Sequence, residues 1–586
     1  MFGRIISIID NKVIVKLDID VYKYANLIGK NVVFSDNSNK IIGEILTIDG
    51  ELCTISVVGE IINNNFIYGD INKPSFSSSC NFITREELDI MFNFDGQNNL
   101  VVGHSYIYNS YPIKIDVNTF FANHFAILGN SGSGKSYSVA KIFQSIFYDA
   151  KALPFKTNIF LFDAYGEYQQ AFNKIGENNA NINYKVLTTD LESSDYEVVK
   201  IPFWLLGVDD ICLLLNITNQ MQIPIIEKAL KFVSFFASEE SLVLKGKNDI
   251  IARALLEIVF SGKNPSEIRN KLVSVLTKYN TSKLNLEVIL TKGGWSRTIR
   301  QCLFVDGEQK FADIELVISY LESLLLEDIE LSLPDGSCKY TIHDFLTALE
   351  FALISENVMA DENAFSYSNI LKIRLNALIN SDYVKYFEMD EYMSSEDYIR
   401  WLLTAPNGGK AQIVNFNINY VDDRFAKTLV KIYSKLLFDY ITKLEKRASM
   451  PFHIVLEEAH RYVQNDSDVD LIGYNIFERI TKEGRKYGII LGLISQRPSE
   501  ISQTALSQCS NFLIFKMFHP IDLEFIKYII SSSGDIIINK IKTLNPGTGI
   551  MYGSAFKMPM IAQMDMPNPT PLSNSCDINA TWYVKN

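Results

Sequence analysis

Eight consecutive residues, Gly129-Asn130-Ser131-Gly132-Ser133-Gly134-Lys135-Ser136, carry three glycines, a lysine and a terminal hydroxyl in the spacing GxxxxGK[ST]. Glycines so placed let the backbone curl until successive N–H groups face one point, and a following helix start adds positive potential there. Lys135 then supplies a cation for β- and γ-phosphate oxygens, and Ser136 a hydroxyl for Mg²⁺. The chemistry expected of residues 129–136, with Tyr137 next on the helix, is binding of ATP with Mg²⁺. Hydrolysis needs in addition a carboxylate that holds the metal and a group that aligns water. The stretch "HIVLEEAHRYV" offers adjacent acids, Glu457 for Mg²⁺ and Glu458 for the attacking water. Read alone, the pair could simply open a solvated helix; beside a phosphate loop it reads as catalytic. Gln496, in "GIILGLISQRP", is placed to bond a γ-phosphate or that water. In "FERITKEGRKYG", Arg479 and Arg485 are candidates for a finger supplied by a neighbouring subunit, with Arg485 preferred and surface ion pairing the rival role. Asp163 and Glu167 of "FDAYGEY" are open between contact with Mg²⁺ or substrate and capping of the next helix.

Elements must deliver these side chains. The apolar run Phe125 to Leu128 reads as a strand before the loop, and Tyr137 to about residue 150 as the helix after it. "TNIFLFDAYGEY", "AQIVNFNI" (residues 411–418), "PFHIVLEEAH", "YGIILGLISQRP" and "NFLIFKMF" contain continuous apolar runs of the kind found in strands covered on both faces, with a helix near residues 425–446. The expected frame is an open parallel sheet whose C-terminal strand ends collect the chemistry. Residues 1 to about 95 alternate instead, with Asp-Asn, Asp-Gly and Gly-Lys turns, the pattern of a small β-barrel. From about 206 to 404 the period changes to 3.6, as in "IIEKALKFVSFFA" and "DIELVISYLESLLLED", which predicts a helical insertion. More than 300 residues separate Lys135 from Glu458, far beyond the needs of a compact core, and independently require one. After about residue 567 periodicity is lost, as in an extended arm.

Composition sets bounds on function. With 586 residues, 47% of them hydrophobic, the chain is globular and long enough for about three to four domains. It has no run of about 18 uncharged apolar residues and opens directly on a strand pattern, so a membrane span, tether or signal peptide is not expected and the cytoplasm is the default. Seven scattered cysteines without a CxxC pair predict buried free thiols rather than disulfides or zinc sites. A formal charge of −13 argues against a broadly nucleic-acid-binding surface, yet a ring can gather Lys and Arg in its channel while its outside stays acidic.

Taken in order, "NSYPIKIDVN", "NHFAILGNSGSGKS", "DAYGEY", "IPFWLL" (residues 201–206), "VLEEAH", "EGRKYGIILGLISQRP" and "NPGTGIMYGSAFKMPMI" resemble the HerA branch of the HerA/FtsK ATPases. The Glu-Glu pair at 457 and 458 is a feature of that branch, where many P-loop enzymes carry Asp-Glu. The resemblance implies an α/β chain with a RecA-like P-loop NTPase core, a small N-terminal β-barrel and an inserted helical bundle. Its division would be barrel 1–95, core 96–205, insertion 206–404, core 405–566 and C-terminal arm 567–586. It further implies a homo-hexameric ring, ATP-driven movement along double-stranded DNA through a central pore, and a nuclease or sirtuin-like NADase docked on the barrel. The composition, rich in Asn, Ile and Lys, is mesophilic in character, which favours the bacterial relatives active in anti-phage defence. An alternative of another class is a nucleotide-gated ring that assembles and switches its partner enzyme, with DNA movement secondary. One departure stands out: Asp163 is followed by Ala-Tyr where relatives usually carry Pro-His.

Overall fold

Along Leu52–Ile62 inward and outward side chains alternate without a break, and that strand closes the N-terminal region on itself. The sheet order is Lys12–Leu17, Gly3–Ile9, Ser79–Phe82, Asn31–Ser35, Lys40–Asp49, Leu52–Ile62, Asn65–Tyr68. Lys12–Leu17 pairs back onto Leu52–Ile62, with Val13 opposite Ile55 and Val15 opposite Cys53, so a barrel forms with Asn65–Tyr68 outside the ring. Phe2, Val13, Val15, Val32, Phe34, Ile45, Cys53 and Ile55 fill its interior. The structure is a computed structural model of residues 1–586, described throughout except at 25, 37–38, 70–71, 95–98, 109–110, 149–153, 178, 180, 237–239, 327–332, 356–361, 467, 531–533, 574–577 and 584–586.

The chain divides into two compact units. The first comprises Met1–Glu197, Trp401–Asp466 and Asn475–Asn586, and holds the barrel and a twelve-stranded sheet. Its parallel part runs in the order Asn183–Thr188, Ala411–Asn417, Ile159–Asp163, Phe452–Leu456, Ile489–Ser495, Phe125–Leu128, Asn511–Ile514. Antiparallel strands Thr548–Gly553, Met560–Met564, Asn99–Ser105 and Pro112–Asp116 then extend it. Every residue of Phe125–Leu128, Ile159–Asp163, Ala411–Asn417 and Ile489–Ser495 is buried, the condition that mainly apolar runs encode, although Ala411–Asn417 also buries Gln412, Asn415 and Asn417. Lys135–Tyr148 and Asp423–Thr442 are helical and bury most of their apolar side chains.

The second unit, Val198–Arg400 with Ser467–Tyr474, is mainly helical. Ile223–Phe236, Glu240–Val259, Pro265–Lys278, Ile342–Ser355 and Glu362–Ile379 are its longer helices. Ile226, Ala229, Leu230 and Val233 are all buried at helical spacing, and Phe203 makes ring contacts with Tyr340, Phe345 and Phe387. A hairpin, Ile289–Lys292 with Trp295–Thr298, interrupts the helices and turns at Gly293-Gly294, both at positive φ. Cys53, Cys80, Cys212, Cys302 and Cys509 are buried free thiols; Cys338 is only half-buried, and Cys576 lies outside the described residues. Among the described residues no helix is long and apolar enough to cross a membrane.

Candidate nucleotide site

Strand register brings the sequence-predicted residues to one edge. Leu128 pairs with both Ser495 and Ile514, so the glycine loop leaves the sheet level with Gln496. On the far side of Ile489–Ser495, Leu456 pairs with Leu493 and with Phe162, so Glu457 and Glu458 emerge at the same edge, beside Asp163. Gly129 N donates to Ser495 O (3.1 Å) and Asn130 N to Lys516 O (2.9 Å), which pins the loop from both sides.

Glycine is required where the loop turns. Gly132 and Gly134 have φ of +70° and +105°, and a Cβ at Gly134 would stand 2.8 Å from the Cα of Gly547. Gly547 N donates to Ser133 O (2.9 Å), so a second turn buttresses the loop. Lys135 Nζ donates to Asn130 O (3.1 Å), and Ser131 Oγ donates to Gln496 Oε1 (2.7 Å). Burial pulls the Lys135 ammonium below its ordinary pKa, against the opposing pull of Glu458, Glu457 and Glu167.

Glu457 and Glu458 are 4% and 7% exposed. Burial first, then the neighbouring Asp163 and Glu167 carboxyls, push the Glu457 pKa well up, and its Oε2 accepts from Ala164 N (3.2 Å). Glu458 has a left-handed backbone (φ 49°) and precedes a single 3₁₀ turn, Ala459–Arg461. His460 Nδ1 is 3.2 Å from Glu458 Oε2, but its hydrogen bond goes to Ser495 Oγ (3.1 Å). Glu458 Oε2 and Glu167 Oε2 are both buried acceptors without a hydrogen bond.

Asp163 and Glu167 have different positions. Asp163 organises the turn after its strand: Oδ1 accepts from Glu167 N (3.0 Å), and Oδ2 from Tyr168 N (2.9 Å) and Asn415 Nδ2 (3.3 Å). Glu167 lines the cavity; burial raises its pKa, while a hydrogen bond from Ser136 opposes that rise. The cavity is 510 Å³ and is lined by loop residues with Lys135, Ser136, Tyr137, Glu167, Glu457, Glu458 and Gln496. The sequence pattern missed its other wall, Pro546, Gly547, Gln563–Met566 and Ser573. The one available signal was the Pro-Gly turn of "NPGTG".

The two arginines do not line the cavity. Arg479 and Arg485 are both exposed on the helix Ile476–Tyr487. Arg479 Nε donates to Glu483 Oε1 (3.2 Å), and its guanidinium lies 4.9 Å from the Phe438 ring centroid. Arg485 stands near the N-terminal strand edge: burial and then the Arg485 charge hold His124, the residue before Phe125, down at about 4.

Among the described residues no group of three or more His, Cys, Asp or Glu is placed to hold a metal by itself. Mg²⁺ on a nucleotide does not need one, because phosphate oxygens and water fill most of its shell. A hydroxyl at Ser136, a buried acid at Glu457 and two orphaned carboxylate oxygens fit that requirement.

The family described as "Helicase HerA, central domain" matches residues 100–437, more than half of the chain. The chain belongs to the HerA helicase family. It is therefore a P-loop ATPase/helicase. This HerA-family chain is 22% identical over 524 residues to the DNA double-strand break repair helicase HerA of Pyrococcus furiosus, covering 88% of the chain and 77% of the relative. To the HerA of Saccharolobus solfataricus it is 24% identical over 528 residues, covering 89% and 79%. A solved structure of the bacterial conjugative coupling protein TrwB is also similar, with a TM-score of 0.43 and 11% identity over 84% of this chain and 94% of that one.

Proposed function

We propose that this chain hydrolyses ATP at the cavity above to drive movement along double-stranded DNA as a homo-hexameric ring. The observation that carries the proposal is the meeting of Lys135, Ser136, Glu457, Glu458 and Gln496 around one cavity although the sequence holds them far apart. The names of the relatives, double-strand break repair helicases, support DNA as the polymer. Docking of a nuclease or sirtuin-like NADase on the barrel, and a role in anti-phage defence, belong to the same proposal and draw on the family resemblance.

In this scheme Lys135 Nζ leaves Asn130 O for the phosphate oxygens, and Gln496 exchanges Ser131 for the γ-phosphate or the attacking water. Ser136 and Glu457 would hold Mg²⁺, which when bound supplies positive charge to the β- and γ-phosphate oxygens. Glu458, with a buried oxygen free to accept, aligns the water and takes up its proton. Preorganised, buried acceptors need little rearrangement as charge develops.

The test is Glu458→Gln. It should bind ATP as the parent does and hydrolyse it about 10² to 10⁴ times more slowly, the usual span for loss of one acid–base group. On duplex DNA the parent should show stimulated ATP turnover and should displace a bound roadblock, which the variant should not. Turnover by the parent that is equal with and without DNA, and no roadblock displacement, would refute the motor and favour the nucleotide-gated scaffold.

A further inference from the structure

The phosphate-binding parts of the cavity come from the glycine loop and three strand ends, which leaves the nucleoside of any bound nucleotide to meet the remaining wall. That wall has a different chemistry and a separate origin in the chain. Pro546 and Gly547 form a turn packed on the loop, and Met564, Asp565, Met566 and Ser573 come from the last strand and the segment that follows it. Two thioethers and a proline give a soft apolar surface, rimmed by the polar groups of Gln563, Asp565 and Ser573. Such a surface suits a flat aromatic ring attached to a hydroxylated sugar. Met566 is 68% exposed at the cavity, an apolar side chain with its surface still open.

The segment is fastened at several points. Met564 N donates to Gly547 O (2.8 Å) and Asp565 N to Val102 O (3.0 Å). His104 Nδ1 is hydrogen-bonded to Asp565 Oδ1 (2.8 Å). Further along, Gln144 of the phosphate-loop helix uses both ends of its amide: Oε1 accepts from Asn568 N (2.9 Å), and Nε2 donates to Pro569 O (2.8 Å) and Ala171 O (2.8 Å). Leu572 N donates to Glu167 O (2.8 Å). A buried glutamine with every polar atom used on backbone is a rigid fastener, because breaking it would strand several groups without partners. The strap is thus tied to the helix that begins at Lys135 and to the segment that carries Glu167.

We propose that residues 565–573 form the nucleobase and ribose wall of the ATP site, with Met566 as the apolar face against the base and Gln144 as the residue that positions the strap. The proposal rests on the phosphate-loop assignment of the same cavity. It separates two parts of affinity: the polyphosphate is held by the loop and Lys135, and the nucleoside by the strap.

Calorimetric titration of the full chain with ATP and with inorganic tripolyphosphate, both with Mg²⁺, tests this. Met566→Asp alters an exposed side chain and should weaken ATP about tenfold while leaving tripolyphosphate affinity unchanged. Gln144→Leu should have the same selective effect by releasing the strap. Equal weakening of both ligands, or of neither, in Met566→Asp would overturn the proposal. Lys135→Ala should weaken both ligands together; unchanged binding of both in that variant would refute the phosphate-loop assignment instead.

Discussion

Three carboxylates, Glu167, Glu457 and Glu458, face the Lys135 ammonium in a largely buried site. Burial first, and then this excess of negative charge, raises the Glu457 pKa, and with no nucleotide present both work against folding. A carboxyl whose pKa is higher in the folded than in the unfolded state destabilises the fold above the unfolded value, and the penalty disappears once acid protonates it in both states. Glu457→Gln should therefore stabilise the nucleotide-free protein at neutral pH by about 1 kcal/mol, a common gain when a functional charge is removed. Thermal melts should show a higher midpoint for the variant near neutrality, with the gap shrinking as pH falls toward the ordinary carboxyl range. The same variant should lose Mg²⁺-dependent hydrolysis. A lower midpoint at neutral pH would mean that the contact with Ala164 N outweighs the repulsion.

At the scale of elements, the glycine loop gives a contrast between two positions with different constraints. Gly134 has positive φ and packs on the backbone of Gly547, whereas Gly132 has positive φ and nothing within 4 Å of where a Cβ would be. Gly132→Ala should cost only the left-handed strain, about 1 kcal/mol. Gly134→Ala adds a backbone clash that only displacement of the loop or the 546–547 turn relieves, so it should melt lower than Gly132→Ala and lose ATP binding in titrations. The strands around this loop were legible because parallel strands covered on both faces are mainly apolar: the run Phe125 to Leu128 is the strand, end to end. Glu457, Glu458 and Gln496 were legible for a related reason, since polar residues ending such runs fall at the strand edge. Other features leave no local mark. The left-handed Glu458 follows from the 3₁₀ turn behind it rather than from any glutamate preference. Asp163 and Glu167 share one short motif, and only the folded turn shows that the first binds backbone while the second enters the cavity. The fastening of the strap leaves no local mark because its own backbone pairs with the Gln144 side chain, hundreds of positions away, and such contacts impose no periodicity. Ser467–Tyr474 joins the helical unit without an apolar repeat that would announce it.

For the whole molecule, the position of Arg485 decides how many chains a working site needs. The helix Ile476–Tyr487 runs back along the sheet to feed Ile489–Ser495, so Arg485, near its end, lies at the N-terminal strand edge beside His124. The glycine loop leaves from the C-terminal edge of the neighbouring strand, and the side chains lining its cavity do not include Arg485. Arg485 therefore cannot serve the nucleotide of its own chain without dismantling the strand between them, and a catalytic role for it requires a second copy. In a closed ring of heterologous contacts each copy would present Arg485 to the next one's cavity. Arg479, stacked on Phe438 and paired with Glu483, is less free to do so. Lys135→Ala and Arg485→Ala should each abolish turnover for different reasons, the first in the chain's own site and the second in its neighbour's. Mixed in equal amounts and allowed to exchange, they should restore about a quarter of the sites, those where an intact Lys135 meets an intact Arg485 across a random seam. Steady-state ATP hydrolysis of the mixture reads this directly. Recovery near that fraction supports the shared site; a mixture as inactive as its components, with exchange verified by mass, would mean that Arg485 acts only within its own fold.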